Sequence, residues 1–176
     1  MATTTSEKTV TGERADLLES LGNARFFLRL TARGLDDEQA ATRSTASELC
    51  VGGLIKHVTA MERQWARFIV EGTSAMPAGD DPGAYEAHAA GFRMLPGETL
   101  AALLEAYEEV AKRTDELVRT LPDLDAGHEL PPAPWFQPGA RWSARRALQH
   151  IVAETAQHAG HADIIRETLD GSKSMG

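Results

Sequence analysis

Cysteine is almost missing from this chain. The one example in 176 residues, Cys50, excludes an internal disulfide framework and a CxxC redox pair. No stretch approaches the roughly 18 consecutive apolar residues that a membrane-spanning helix needs. The opening MATTTSEKTVTGER has no apolar core of the kind that marks a secretory signal. Basic clusters are absent too. The formal net charge is −8, and a phosphate-binding surface depends on gathered Lys and Arg. Nor is there a P-loop, a GxGxxG, an HExxH or the ExxH pair of di-iron bundles. Sustained period-two alternation and Asn-Gly hairpin turns are also wanting, so strands have little support. These absences lead to the expectation of a cytoplasmic protein with no nucleic-acid and no membrane partner.

What remains is helical. With 42% hydrophobic residues the chain is long enough for one buried core, so residues 1–176 are read as a single domain. Gly, Pro and Asp punctuation separates four helical stretches, at about 11–34, 47–71, 97–120 and 143–169. Leu17, Leu18, Leu21, Phe26, Leu28 and Leu30 are the apolar positions of the first, which Gly34 is expected to close. Ser47 is the expected N-cap of the second, and Gly72 follows its end. Four helices of this length predict an all-α, four-helix bundle with Trp65 and Phe68 in its core and no sheet of three or more strands.

The two long connecting loops, 72–95 and 121–141, exceed the usual length, a property of loops that are functional or disordered. The second carries Trp135 and Phe136 among five prolines and is expected to pack over one end of the bundle.

The chemistry lies in the last helix. At 100° per residue Ala147, Ile151, Glu154, His158, His161 and Ile165 fall within about 80° of arc, so Glu154 and His158 lie in the middle of the inward stripe. A buried carboxylate without a partner is costly. The second helix supplies a complement in His57, which shares its stripe with Cys50, Leu54, Met61 and Phe68, Trp65 lying slightly further round. One inward His facing a Glu/His pair at i, i+4 makes a three-ligand set with a fourth tetrahedral position open, the pattern of catalytic zinc. Ordinary readings stand beside it. A lone inward His is commonly a hydrogen-bonded core residue, and Glu154 with His158 would also make a plain ion pair. His161 is assigned to a substrate-facing or supporting place, with ligation as its alternative; His150 is assigned to orienting or packing. His88 and His128 fall in loops and look incidental, and Cys50 reads as a small core residue.

Three segments carry a family resemblance: GLDDEQA, SELCVGGLIKHVTAMERQW and RWSARRALQHIVAETAQHAGHADIIRETLDG. In order and spacing they resemble the DinB-like superfamily of metal-binding four-helix bundles, and are most similar to the actinobacterial branch that includes mycothiol-dependent maleylpyruvate isomerases. The resemblance implies a DinB/YfiT-like bundle with His57, Glu154 and His158 as ligands of a divalent metal, zinc first, with nickel or another ion as alternatives. Many members have His where this chain has Glu154, which lowers a zinc centre from +2 to +1 and puts functions borrowed from three-His members in doubt. It further implies a low-molecular-weight thiol cosubstrate such as mycothiol, a small electrophile, and a homodimer. His161 and His150 would then steer protons or orient Glu154. The function so implied is thiol-dependent S-transfer or isomerisation. The alternatives are a non-catalytic, stress-associated metal-binding bundle and a metal-assisted hydrolase.

Overall fold

The computed structural model describes residues 10–76 and 82–174. The elements in chain order are α1 (Glu13–Thr31), α2 (Asp37–Ala41), α3 (Val51–Glu71), a 3-10 turn (Gly72–Ala75), α4 (Pro82–Gly91), α5 (Leu100–Thr120), β1 (Gly127–Glu129), β2 (Arg141–Ser143) and α6 (Ala144–Asp170). The four long helices α1, α3, α5 and α6 form the bundle. α6 packs against both α1 and α3, and α3 also packs against α5, whereas α1 and α5 meet less closely. None of the described helices is long and apolar enough to cross a membrane.

The helix ends follow local capping chemistry, and this moves several expected boundaries. α3 starts at Val51, because the Cys50 Sγ accepts the Gly53 N–H at 3.4 Å. Ser47 lies outside the helix, where its hydroxyl accepts the Leu49 N–H in a local turn. α5 starts at Leu100 and not at Gly97: Thr99 caps it, and the Asp37 carboxylate from α2 accepts the Leu100 N–H at 2.7 Å. α1 stops at Thr31, short of Gly34. There Arg166, reaching across from α6, donates to the freed carbonyls of Thr31 and Arg33 at 2.8 and 2.9 Å. α6 follows its sequence signals closely, with Ser143 as N-cap and Gly171 in the left-handed conformation at φ 78° past its end.

The core joins Leu21, Leu28, Leu54, Ile55, Val58, Phe68, Tyr107, Leu148 and Ile151, each fully buried or nearly so, and Trp65 is buried with them. Among these apolar side chains sits an ion cluster that the helical stripes do not announce. The Arg25 guanidinium of α1 donates to Glu62 of α3 at 2.5 Å and to Asp115 of α5 at 2.7 Å. Glu62 is completely buried and Arg25 nearly so. The cluster therefore joins three helices through one cation. Phe26, one of the apolar positions of the first helix, is 53% exposed.

The connections are more structured than their composition suggests. The segment 72–95 holds the 3-10 turn and α4, with 77–81 outside the described residues. In the second connection β1 and β2 pair antiparallel in the register Gly127↔Ser143, His128↔Trp142 and Glu129↔Arg141. This ribbon leads straight into α6. Leu124, Leu130, Phe136 and Trp142 pack on the core, while Trp135 is 76% exposed. Arg145, in the first turn of α6, pairs with Glu13 of α1 and with Asp125, fixing the loop against the bundle.

Candidate metal centre

His57 lies in the second turn of α3, half-buried on the side facing α6. Its ring is closely surrounded. Phe92 stacks on it with centroids 3.9 Å apart and planes at 20°, His158 meets it edge-on at 4.8 Å, and His88 edge-on at 5.6 Å. Phe92 reaches this place because Gly52 and Gly53 leave the start of α3 bare. A Cβ on Gly53 would lie 1.9 Å from the Phe92 carbonyl oxygen, and one on Gly52 would lie 2.1 Å from Met94 Sδ. Lys56 fastens the same segment, binding Glu98 at 2.7 Å and the Arg93 carbonyl at 3.3 Å.

Across the seam, Glu154 and His158 project from adjacent turns of α6, with His158 Nε2 and Glu154 Oε2 3.5 Å apart. One ligand atom from each of His57, Glu154 and His158 lies within 4.8 Å of the others. No other group of three or more His, Cys, Asp or Glu among the described residues meets this condition. Two donors at about 2.1 Å from a tetrahedral zinc stand roughly 3.4 Å from each other, so the Glu154–His158 separation already suits a shared ion. Protonation suits it as well. Burial, reinforced by the neighbouring His158 and His88, pushes the His57 imidazole down to about 4. Burial and then His161 lower His158. Both rings are therefore neutral at pH 7 and present lone pairs, as metal ligation requires. The donor chemistry fits a divalent ion.

The remaining candidates take supporting positions. His161 is not part of the convergent set; its Nδ1 lies 3.4 Å from His158 Nδ1, so it contacts the ring nitrogen that faces away from Glu154. Contacts of this kind fix a ligand's tautomer and orientation. His150 stands edge-on to both Trp65 at 4.8 Å and Trp142 at 5.1 Å, which stack on each other at 4.6 Å. Its pKa is lowered by burial, against the pull of Glu154. Cys50 is buried, and its sulfur serves as the α3 cap.

His88 requires a correction. Placed in a loop and counted as incidental, it sits on α4 against the ring of His57. Spacing within one helix could not reveal this, since the contact spans 31 positions and depends on the Gly52–Gly53 approach. His128 is structural: its ring covers Gly72, whose φ of 72° and lack of Cβ admit it, and its Nε2 lies 3.2 Å from the Ile69 carbonyl. A concavity of about 700 Å³ between α1 and α5, lined by Phe26, Leu30, Leu100 and Leu104, includes none of the candidate site residues.

The chain is similar to known proteins at the level of family and fold. A family model described as mycothiol-S-transferase matches residues 16–171. No curated protein matches the chain. A conserved protein from Enterococcus faecalis has a solved structure that superposes with a TM-score of 0.66 at 13% identity, covering 93% of this chain and 100% of that one. YfiT from Bacillus subtilis, described as a probable metal-dependent hydrolase with an unusual four-helix bundle topology, gives 0.65 at 18% identity over 95% and 94% of the two chains. At these identities the likeness concerns the fold alone.

Proposed function

Because the chain belongs to the mycothiol-S-transferase family, a DinB-like family, we propose that it is a divalent-metal-dependent S-transferase. It would join a low-molecular-weight thiol such as mycothiol to a small electrophile. His57, Glu154 and His158 would hold the ion, with zinc the first choice for two imidazoles and one carboxylate. The observation that carries this reading is the convergence of those three donors from two rigid helices, with no fourth protein ligand in the set among the described residues.

A divalent ion there would supply Lewis acidity that favours the thiolate form of a thiol taking the open position. Everything else falls to the chain's own side chains. Glu154 brings one negative charge, leaving a zinc centre at +1. His161 steadies His158 through the Nδ1 contact. Phe92 covers one face of His57 and keeps water from it. His150, half-buried one turn before Glu154, would orient that carboxylate. The isomerase chemistry of the related branch would use the same thiol and ion, and a homodimer is the working unit this reading assumes.

The deciding experiment loads the protein with cobalt and adds a small thiol. A thiolate-to-metal charge-transfer band is expected, together with thioether product from an electrophile, and His57→Ala should lose both metal and band. If the wild-type cobalt protein gives no band and instead hydrolyses esters or amides, S-transfer is refuted in favour of hydrolysis. A protein that takes up no divalent ion defeats both readings.

A further inference from the structure

Helix α4 contributes little to the core. Of its residues with described side chains, all from Gly83 to Ala89 are exposed, and it packs chiefly on α3. Yet the segment that follows it is fastened hard against the start of α3, through the bare backbone of Gly52–Gly53 and the contacts of Lys56 with Glu98 and the Arg93 carbonyl. What this brings to α3 is a wall beside His57. Phe92 supplies the apolar part, stacked on His57 and 6.0 Å from His158. His88 supplies the polar part, an exposed imidazole standing edge-on to both His57 and Phe92, at 5.6 and 5.2 Å between centroids. It lies outside the three-donor set, so its two ring nitrogens are free of that role.

The distances place His88 beside whatever binds next to His57. A coordinated sulfur stands about 2.3 Å from zinc. In a cysteine-derived thiol the amide groups follow within a few bonds of that sulfur. An amide therefore extends to about the reach that separates the ring of His57 from that of His88. The thiol's methylene would meet Phe92.

Resting on the proposed S-transfer, we propose that His88 is a positioning residue that hydrogen-bonds the amide of a cysteine-derived thiol held at the metal centre, with Phe92 packing against its carbon atoms. One neutral hydrogen bond contributes roughly a three- to ten-fold factor in binding.

The test titrates the cobalt-loaded protein with two thiols, N-acetylcysteinamide, which carries the amides, and ethanethiol, which lacks them. The charge-transfer band reports binding. His88→Ala should weaken N-acetylcysteinamide by roughly three- to ten-fold, leave ethanethiol and cobalt affinity unchanged, and be largely restored in His88→Gln. Equal weakening of both thiols, or no weakening of either, overturns the assignment while S-transfer stands. Loss of cobalt from His88→Ala would make it a metal ligand and overturn it as well. Absence of the band in the wild type removes S-transfer and this role together.

Discussion

Replacing Gly53 by Ala sets two effects of known size against each other. In a helix interior Ala is favoured over Gly by about 0.8–1.0 kcal/mol. Here the new methyl would stand 1.9 Å from the Phe92 carbonyl oxygen, 2.4 Å from its carbon and 2.9 Å from the Arg93 nitrogen. Reaching an ordinary contact of about 3.4 Å requires the carbonyl to retreat by roughly 1.5 Å. All three obstructing atoms are backbone, so no side-chain rotation relieves them. Overpacking of this kind costs about 1–3 kcal/mol. The clash should win, with a net loss of up to about 2 kcal/mol and a fall in Tm of up to roughly 8 °C for a chain of this size.

A second consequence separates this clash from general destabilisation. Phe92 would lift from the ring it now stacks on at 3.9 Å. His57, held at about 4 chiefly by burial, should then titrate closer to the ordinary 6.5. Calorimetry gives the first quantity, and proton NMR of the metal-free protein the second. Gly22→Ala is the control: nothing lies within 4 Å of its added Cβ, so it should raise Tm by a few degrees. If Gly53→Ala also raises Tm and leaves the His57 titration where it was, the account of α4's anchorage is refuted.

Two further outcomes are expected. Arg25→Met leaves Glu62 buried without its cation and should cost about 3–5 kcal/mol in urea unfolding. Arg25→Met/Glu62→Leu should recover most of that loss, and a double variant as unstable as the single one would contradict it. The pH dependence follows chiefly from His57, whose folded value lies near 4 against 6.5 unfolded, with His150 and His158 lowered by burial in the same direction. Between those values the unfolded chain binds the extra proton, so metal-free stability should fall as pH drops from 6.5 towards 4. The lowered carboxylates Glu98 and Asp170 act in the same sense but further down. His57→Gln should therefore flatten the Tm slope between pH 6.5 and 5, and an unchanged slope would count against His57.

Much of the bundle was legible in the residues themselves. Apolar spacing at 3.6-residue period, with Gly and Pro between, marked all four long helices, because each must bury a stripe and each must stop. Their ends were less readable. A cap is decided by whichever side chain reaches the free N–H or C=O; at the end of α1 that group is Arg166 from α6, and at the start of α5 Asp37 from α2 adds to the local Thr99 cap. The pairing of Glu154 with His158 was likewise local, since i, i+4 stacks side chains on any helix, and His57 could be set opposite them from its own stripe. Two features belong to tertiary structure alone. α3 packs on both α5 and α6, so it buries more than one face. A single stripe drawn through His57 leaves out Glu62, whose partner Arg25 lies 37 positions away. His88 reaches His57 only because two glycines let a distant backbone approach. Periodicity describes one helix against an unspecified interior; which charges and rings meet there is settled when specific helices pack.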